Sequence, residues 1–584
     1  MEKFRHLIVA ALSPVVGHEL KPFDLETPPD RDRGDLAFPC FRLSKNLGKA
    51  PPLIAQDLAR RVKAELEPSG ISVEAAGPYV NFRISGKALI EVSLHEILQQ
   101  NTAFGSIPAQ TRLKWIFEYS SPNVAKPFQI YHLRTTIVGA TLSRIARHRG
   151  HQVTTINHLG DWGTQYGKLA IALKRYASDL PENLTLKHLV DIYVRIHKDM
   201  ESDPSIEKEG QEAFKKLEAG DPEMRAIWKR CVDISLKEFE KTYSRYQVTF
   251  DHFWGESHYE DQLKPLLSRL KDMGILVEDQ GAQVVRVTSR AGKEIPPCIL
   301  EKSDGASIYA TRDVAAALYR HDKFQFDRMS YIVGKEQMLH FEQVFGVLRA
   351  MSLPWETSCE HIATGLYRFK DAKMSTRKGN FITLEEVNEL CTARALDLMR
   401  TRNSSEDTKA ENRLTEGEIE TIADQVAIGA LVFADLSTDP AKDLEFDVDR
   451  VISFEGETGP YLQYAHTRCL SILRKSEMSL DQIRQIPLTV LQDQIQTQEE
   501  LRLLGTLARF PEALERTLDL RKPSMLTSYL IDVTRDFGLF YRECKVVNPE
   551  NPDLTSARLA LVLAAKTVLS LGLDLLGIPK PEKM

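Results

Sequence analysis

The spacing of hydrophobic and polar positions changes character three times along the chain. In the first hundred or so residues, apolar residues at helical spacing occur in FRHLIVAALSPVVGHEL and in PPLIAQDLARRVKAELE, which has proline in its first turn. The pattern is extended in GPYVNFRIS and helical again in GKALIEVSLHEILQQ. This mixture predicts a compact α+β domain.

A strand, a loop, a helix and a second strand are predicted from about residue 113. LKWIFEYS is rich in β-forming residues, and SPNVAKP interrupts it. IYHLRTTIVGATLSRIARHRG then follows a helical pattern that starts at Ile130 or Tyr131 and stops at a glycine, before HQVTTINHLGDWGTQYG repeats strand and turn. This order predicts a βαβ unit of a parallel sheet, which binds ligands at the carboxyl ends of its strands.

The middle of the chain predicts a helical insertion in this sheet. The pattern at about 170–250 is charged and helical, and strand-like segments return in GAQVVRVT, ASIYATRD, RMSYIVGK and EHIATGLYRF. The polar stretch RNSSEDTKAENRLTEGE predicts an exposed connection, after which the pattern is almost entirely helical. We therefore predict an N-terminal α+β domain at 1–108, a parallel-sheet α/β domain at 109–445 and an α-helical bundle at 446–584.

Composition narrows the class of protein. The 584 residues are too many for one core, and 42% hydrophobic with 27% charged residues is typical of soluble globular proteins. Seven single cysteines without zinc-ligand spacing favour a reducing cytosol. We expect no apolar window to approach the ~18 residues of a membrane span. The net charge of −6 does not favour nucleic-acid binding, although RIARHRGH and KMSTRK are local basic clusters.

Two segments have the features of phosphate-binding sites. In SSPNVAKPFQIYHLRTT a loop leads into a helix start, where backbone N–H groups and the helix dipole can hold a phosphate. In FKDAKMSTRKGN, Lys373, Arg377 and Lys378 stand beside the hydroxyls of Ser375 and Thr376, which suits a triphosphate. Each segment alone has an ordinary alternative, a well-capped core helix or a solvated basic loop.

Taken together, the two segments resemble the signatures of class I aminoacyl-tRNA synthetases. QIYH stands where that class has HIGH, and KMSTR where it has KMSKS. EYSSPNVAKPFQIYHLRTT, NHLGDWGTQYG, YATRDVAAALYR, AKMSTRKGN, GPYLQYAHTR and LDLLGIPKPEKM are similar to arginyl-tRNA synthetases, over nearly the whole chain. The resemblance implies a Rossmann-type catalytic domain and ATP-dependent attachment of arginine to tRNA(Arg) through an arginyl-adenylate.

The resemblance implies an arginine site made of five residues. Tyr309 and Asp313 are four apart and share one face of a helix, where Asp313 can accept a bidentate guanidinium and Tyr309 can add its hydroxyl. Glu118, Asn123 and Gln337 match positions that hold the α-amino and carboxylate end. Their structural alternatives stay open: an ion-paired strand end, a loop or cap residue, and a helix-start polar group.

The implied ATP site combines both signatures. Its members are Gln129, Tyr131, His132, Lys373, Ser375, Arg377 and Lys378, with His132, Gln129 and Lys373 as the catalytic residues. Gln129 replaces the first His of the family signature and keeps an amide donor. Tyr131 replaces its Gly, and the ring either takes the space of the adenine or stacks beside it. ATP is expected to bring Mg²⁺ as a substrate complex, and we expect no protein-bound metal or prosthetic group.

The two outer domains are implied to contact tRNA. The residues concerned are Tyr79 and Asn81 in the first domain, and Tyr461, Tyr464, Arg468 and Met584 in the bundle. Aromatic and basic groups of this kind can stack on unpaired bases, but aromatic residues at i and i+3 are more often core residues. GDWGTQYG is a second open case, because it is equally explained by tight turns and Trp162 as a core anchor.

Two other functions stay open from the sequence. A non-catalytic synthetase-like protein would bind arginine or tRNA for regulation, and an enzyme of the same fold would load arginine onto another acceptor. Because the arginine-side residues, the KMSTR segment and both outer domains are all present, we predict an active ligase. We expect it to be a cytoplasmic monomer whose partners are arginine, ATP and tRNA(Arg), with no membrane association.

Overall fold

The computed structural model describes residues 1–28, 30–107, 112–303, 308–369, 383–404 and 413–584. The chain forms two compact units. The first comprises Met1–Ser106, Ser453–Leu575 and Pro579–Met584, and the second comprises Ile107–Ile452 and Leu576–Ile578. The three domain boundaries drawn from the sequence stay a prediction.

The N-terminal part of the first unit mixes helices with a small antiparallel sheet. Its elements are α1 (Glu2–Val16), β1 (Leu36–Pro39), α2 (Phe41–Leu47), α3 (Pro51–Leu66), β2 (Ile71–Ala76), β3 (Tyr79–Ile84), α4 (Gly86–Leu89) and α5 (His95–Gln100). The strands pair antiparallel in the order β1-β3-β2. Helix α1 buries Phe4, Ile8 and Leu12 on one face. The predicted amphipathic first helix and the α+β character are therefore confirmed.

The second unit holds most of the β-structure. Its elements are β4 (Lys114–Glu118), α6 (Ile130–His148), β5 (Gln152–Asn157), α7 (Thr164–Arg175), α8 (Leu186–Ser202), α9 (Ser205–Glu218), α10 (Pro222–Arg245), β6 (His252–Phe253), α11 (Glu260–Asp272), β7 (Leu276–Asp279), β8 (Ala282–Thr288), β9 (Glu294–Glu301), α12 (Tyr309–Phe324), β10 (Arg328–Gly334), α13 (Met338–Ala350), β11 (Cys359–Thr364), β12 (Tyr367–Phe369), α14 (Leu384–Asn403), α15 (Glu416–Leu436), β13 (Leu444–Phe446) and α16 (Val448–Val451).

Five of these strands form a parallel sheet in the order β11-β10-β4-β5-β6. The crossover β4-α6-β5 is the βαβ unit that the sequence predicts, and helices α7 to α10 lie between β5 and β6 as the predicted insertion. Helix α6 packs closely on the sheet at Gly139, where a Cβ would lie 2.3–2.6 Å from atoms of the Tyr119 side chain. Glycine at this position lets the helix approach the end of β4.

The C-terminal part of the first unit is helical, as predicted. Its helices are α17 (Gly459–Lys475), α18 (Leu480–Arg484), α19 (Leu488–Gln494), α20 (Gln498–Leu507), α21 (Phe510–Leu520), α22 (Ser524–Glu543) and α23 (Pro552–Leu576). By length and composition, α23 is apolar enough to cross a membrane. The expectation that no segment approaches that length is therefore wrong. Most of this apolar stretch is buried inside the protein, which is how a core helix satisfies the same criterion.

A buried ion pair joins the two segments of the first unit. Arg5 of α1 donates from Nε and Nη2 to the Glu512 carboxylate at 2.9 and 2.7 Å. Its Nη1 donates to the carbonyl oxygens of Pro22 and Leu25 at 3.0 and 2.6 Å. Because the Arg5 side chain is only 3% exposed, these hydrogen bonds satisfy a buried guanidinium, which would otherwise carry a desolvation penalty.

Candidate active site

The carboxyl ends of three parallel strands lie side by side. Glu118 at the end of β4 is in register with Ile156 of β5 on one side and with Tyr331 of β10 on the other. The connections that follow these strands therefore meet at one edge of the sheet, where ligands of such folds bind. Asn123 and Gln337 lie in two of these connections.

Glu118 is paired with an arginine of the protein itself. Arg320 of α12 forms a salt bridge to the Glu118 carboxylate, and the two side chains are 1% and 4% exposed. Nε of Arg320 also donates to the Tyr259 hydroxyl at 3.1 Å. Burial by itself lowers the pKa of Arg320, but the charge of Glu118 outweighs it and raises that pKa. The ion-paired strand end that the sequence left open is thus what the structure contains.

Two histidines lie next to Asp313, and one of them is hydrogen-bonded to it. Nε2 of His340 lies 2.6 Å from Oδ2 of Asp313, and Nε2 of His158 lies 3.6 Å from its Oδ1. Burial raises the pKa of this carboxyl, but the hydrogen bond from His340 and the nearby positive charges outweigh it and hold the pKa below its usual value. Asp313 is therefore an oriented anion at neutral pH, on the first turns of α12.

The other predicted arginine ligands stand at element starts. Tyr309 is the first residue of α12 and is 66% exposed, and Gln337 ends the turn before α13 and is also exposed. Asn123 pairs through its backbone with Gly160, and a Cβ on Gly160 would lie 2.3 Å from the Asn123 side-chain oxygen. Trp162, two residues further, is buried as the core-anchor interpretation expects.

His132 lies at the start of α6 as a neutral donor. Its Nδ1 accepts the backbone N–H of Gln129 at 3.1 Å, so the proton of the neutral ring is on Nε2. Burial lowers the pKa of His132 to about 3. The Tyr131 ring lies 4.3 Å from the His132 ring, centroid to centroid, and is 36% exposed. The Gln129 side-chain oxygen is buried, with no hydrogen-bond partner among the described residues.

The KMSTR segment lies outside the described residues, and so do Lys373, Ser375, Arg377 and Lys378. The chain on its C-terminal side returns next to the QIYH signature. Thr383 pairs with Gln129 in an antiparallel bridge, and the N–H of Leu384 donates to the Phe128 carbonyl at 3.0 Å. The residues that follow the KMSTR segment in the chain are thus held by the backbone at the start of α6.

Three family models together match most of the chain. Residues 2–84 match the arginyl tRNA synthetase N terminal domain, residues 93–448 match the catalytic domain of tRNA synthetases class I (R), and residues 462–584 match the DALR anticodon binding domain. The catalytic-domain model covers more than half of the chain. The chain belongs to the arginyl-tRNA synthetase family.

Relatives within the family match along their full length. The arginine-tRNA ligases of Clostridium botulinum (strain Alaska E43 / Type E3) and Clostridium perfringens (strain 13 / Type A) are each 40% identical to the chain, with coverage of 96% and 100% of both sequences. The arginyl-tRNA synthetase of Thermus thermophilus is 26% identical with a TM-score of 0.80, covering 99% of this chain and 100% of that one. The Plasmodium falciparum enzyme, 22% identical with a TM-score of 0.80, shares the fold over 100% and 98% of the chains.

The residues that the family resemblance places against tRNA lie in the first unit. Tyr79 of β3 is half-buried with its ring edge-on to Phe41, whereas Asn81 is only 8% exposed. In α17, Tyr461, Tyr464 and Arg468 are all partly exposed. The Arg468 guanidinium lies 5.2 Å from the Tyr464 ring centroid and 4.5 Å from that of Tyr541. Met584 ends the chain and is partly buried.

Sequence reasoning missed four residues of the site. His158, Arg320 and His340 surround Glu118 and Asp313, and Glu256 is a nearby buried carboxyl. Burial raises the pKa of Glu256 to about 8. Two signals were available in the sequence. His340 follows Gln337 at helical spacing, and Arg320 follows Asp313 by two helical turns, so each shares a face with a predicted ligand.

Proposed function

We propose that this member of the arginyl-tRNA synthetase family attaches arginine to tRNA(Arg) in two steps. In the first, an arginine carboxylate oxygen attacks the α-phosphorus of ATP, the bond to the bridging oxygen breaks and pyrophosphate leaves. In the second, the terminal ribose hydroxyl of the tRNA attacks the arginyl carbonyl carbon, and AMP leaves. Catalysis then consists mainly of positioning the reactants and stabilising charge.

Recognition of arginine rests on the Asp313 carboxylate, and this observation carries the proposal. A guanidinium forms two parallel hydrogen bonds to a carboxylate, whereas a lysine ammonium is a point charge. Asp313 is only 16% exposed, is ionised and is oriented by its hydrogen bond with His340, with His158 3.6 Å from its other oxygen. Each of its oxygens keeps a lone pair for the substrate. Tyr309, one helical turn earlier, supplies a hydroxyl on the same face.

We assign Glu118, Asn123 and Gln337 to the α-amino and carboxylate end of the substrate. All three lie at the edge of the sheet where the strands end. Glu118 is already ion-paired with Arg320 before substrate binds. The substrate ammonium would therefore interact with a buried ion pair of fixed orientation. This arrangement supports orientation of the substrate more than net attraction, because the single charge of Glu118 is already compensated by Arg320.

The nucleotide is assigned to the start of α6 and the KMSTR segment. His132 presents an Nε2–H donor, and a rotated Gln129 amide presents its NH₂ group where the unpartnered oxygen now lies. Both groups are hydrogen-bond donors and are suited to binding the phosphates of ATP. We expect Lys373, with Ser375, Arg377 and Lys378, to follow the charge as pyrophosphate leaves, and Tyr131 to lie beside the adenine. Mg²⁺ arrives with ATP as part of the substrate.

The first unit is proposed to bind the tRNA. The N-terminal domain would contact the D-loop side through Tyr79 and Asn81, and the bundle would contact the anticodon through Tyr461, Tyr464 and Arg468, with Met584 beside them. The partial exposure of the bundle residues and the stacked Arg468 guanidinium support base stacking. We propose that the enzyme works as a cytoplasmic monomer, with domains at 1–108, 109–445 and 446–584.

Arginine-dependent exchange of pyrophosphate into ATP, measured with and without tRNA(Arg), tests the first step. Charging of bulk tRNA with labelled arginine tests the second. We expect both activities in the natural protein. Asp313→Asn should lower kcat/KM for arginine by about 10²-fold or more in the exchange assay. Asp322→Asn is the matched control, since Asp322 lies on the same helix and its side chain is 84% exposed.

Each alternative function has its own outcome. Tight binding of tRNA without exchange or charging would favour a regulatory binding protein and overturn the ligase. Intact exchange without charging of tRNA would favour another acceptor for arginine. Equal kinetics in Asp313→Asn and Asp322→Asn would remove Asp313 from the arginine site.

A further inference from the structure

The carboxylate of Asp443 binds three groups from two other segments of the second unit. It lies one residue before β13. Its Oδ1 accepts hydrogen bonds from the Lys335 ammonium and, at 3.0 Å, from the backbone N–H of Leu366. Its Oδ2 accepts Nε and Nη2 of Arg368 at 2.8 and 2.7 Å. The hydrogen bond from Lys335, with the other donors, holds the pKa of Asp443 far below its usual range, so the group is an anion throughout the working pH range.

The segments that meet at Asp443 lead along the chain to two different parts of the proposed active site. Lys335 begins the single turn that ends at Gln337, which we assign to the arginine end. Leu366 and Arg368 belong to β12 and its approach, the last described element before the KMSTR segment. Asp443 therefore links the turn that ends at Gln337 to β12, the last described strand before the KMSTR segment.

The β12 side of this link is tightly fitted. A Cβ on Gly365 would lie 2.4 Å from the Lys442 carbonyl oxygen and 2.7 Å from the Asp443 nitrogen, so the two backbones meet with no room for a side chain. The N–H of Leu444 donates to the Leu366 carbonyl at 2.8 Å. Tyr367 donates its hydroxyl to Asp435, which is fully buried beside Arg134 of α6. Strand β12 is thereby fixed to the helix that begins at the QIYH signature.

The Lys335 side extends this fixed body to the arginine end. The β10-β11 ladder finishes with Gly334 opposite Thr364, one residue before the turn. Beyond the end of the ladder, the ion pair of Lys335 with Asp443 holds the turn to the segment before β13. A turn of three residues that is anchored at its first member has little freedom to reorient its last.

We propose that Asp443 is a positioning residue for arginine activation, which by binding Lys335 and the start of β12 together sets the Lys335–Gln337 turn at a fixed place relative to the nucleotide side of the site. The proposal rests on the proposed function. The carboxylate of the substrate arginine must reach the α-phosphorus of ATP in a near-attack geometry. A misplacement of about 1 Å costs about 10²-fold in rate. Asp443 touches no reacting atom and acts through Lys335 and Gln337.

The test uses the full-length protein and pyrophosphate exchange, with rates divided by the concentration of active sites. Asp443→Asn removes the charge, Lys335→Met removes the other end of the link, and the double variant removes both. Asp443→Glu keeps the charge with one more methylene. Asp449→Asn is the matched control, because Asp449 lies on the same stretch of chain and forms an exposed ion pair with Arg394 at 2.8 Å.

We expect Asp443→Asn and Lys335→Met each to lower kcat/KM for arginine by about 10- to 100-fold, with a higher KM for arginine and a lower kcat together. The double variant should be no worse than either single variant, since both break one link. Asp443→Glu should recover part of the loss, and Asp449→Asn should match the natural protein. A purely structural role would lower the melting temperature and the active fraction while leaving these normalised constants unchanged.

Several results overturn the proposal. Normal constants in Asp443→Asn, or losses in the double variant that multiply, would remove the link while leaving the ligase intact. If Asp443→Asn does not fold, normal constants in Lys335→Met alone refute it, because Lys335 is partly exposed and its loss leaves the β12 contacts in place. Absence of exchange in the natural protein would instead refute the proposed function, and this inference with it.

Discussion

Nε2 of His340 lies 2.6 Å from Oδ2 of Asp313 and fixes the plane of that carboxylate. The two residues belong to different helices, α13 and α12, and His158 at the end of β5 approaches the second oxygen. The orientation of the anion is thus set by the fold around it before any substrate binds. Preorganisation of this kind removes the cost of ordering the site during binding.

Replacement of His340 should weaken arginine binding more than catalysis. His340→Ala leaves Asp313 charged but free to rotate, and we expect kcat/KM for arginine to fall about 10- to 100-fold, mainly through KM. Steady-state pyrophosphate exchange measures this. His6→Ala, at an exposed histidine of α1, is the control. A fall in kcat alone, with an unchanged KM, would show that His340 has a different role.

The same pair should give the protein a pH-dependent stability. Burial lowers the pKa of His340, but its hydrogen bond to Asp313 outweighs that effect and raises the pKa above the usual value of about 6.5. The stabilisation is fully present below pH ~6.5 and is lost as pH rises through the raised pKa. The difference in melting temperature between the natural protein and His340→Gln should therefore be largest near pH 6 and shrink toward pH 9. A difference that grows with pH would contradict the pairing.

Removal of Arg320 should be among the most destabilising single changes in the catalytic unit. Arg320→Met leaves the 4% exposed Glu118 carboxylate without its partner, at a cost of about 3–5 kcal/mol. The double variant Glu118→Leu with Arg320→Met should recover most of this loss, because it buries no charge. Urea denaturation of the three proteins measures it. Equal loss in the single and double variants would show that packing, and not the ion pair, dominates.

Tyr131 should control the protonation of His132. The ring packs against the imidazole, whose pKa burial lowers to about 3, so pyrophosphate exchange should show no acid limb from His132 above pH 5. Tyr131→Gly admits water to His132 and raises the pKa of the imidazole, so an acid limb should enter the pH profile of exchange above pH 5. The same change should cost about 1 kcal/mol of helix stability. Tyr131→Phe keeps the ring and should behave as the natural protein. Identical pH profiles in all three would dismiss this role.

The buried ion pair of Arg5 with Glu512, which links the two segments of the first unit, should contribute strongly to the stability of the protein. Arg5→Ala removes the partner of the Glu512 carboxylate and the side-chain donor to the Leu25 carbonyl, and we expect a loss of about 3–5 kcal/mol. Lys3, two residues before Arg5, forms an exposed ion pair with Glu96. Lys3→Ala breaks only this pair and should cost at most about 1 kcal/mol. Thermal unfolding followed by circular dichroism compares them. Similar shifts for both variants would show that the buried pair carries no special weight.

The sequence was a good guide to most elements and to residues that share one element. The strand-like interpretation of ASIYATRD was wrong, because α12 begins at Tyr309. Helical spacing placed Tyr309 and Asp313 on one face of α12, and the strand-loop-helix order predicted the β4-α6-β5 crossover. Both are local properties of the chain, governed by periodicity of 3.6 or 2. The resemblance to synthetases then supplied roles for these residues, which spacing alone does not.

The partners of these residues were beyond sequence reasoning. His158 and His340 reach Asp313 from other elements, and Arg320 of α12 reaches Glu118 at the end of β4. Such pairs depend on how elements pack, which periodicity does not contain. The wrong expectation about apolar segments has a different origin, because the length and hydropathy of α23 are properties of the sequence itself, and a helix buried in a bundle is as apolar as a membrane span.

The pairing of Arg5 with Glu512 also fixes the order of events during synthesis. The two residues are 507 positions apart, so at about 5–20 residues per second the ribosome makes Glu512 roughly 25–100 s after Arg5. Almost all of the catalytic unit emerges within that interval and can fold on the ribosome. Until then the Arg5 guanidinium lacks its carboxylate partner, and completion of the first unit is one of the last steps in the synthesis of the chain.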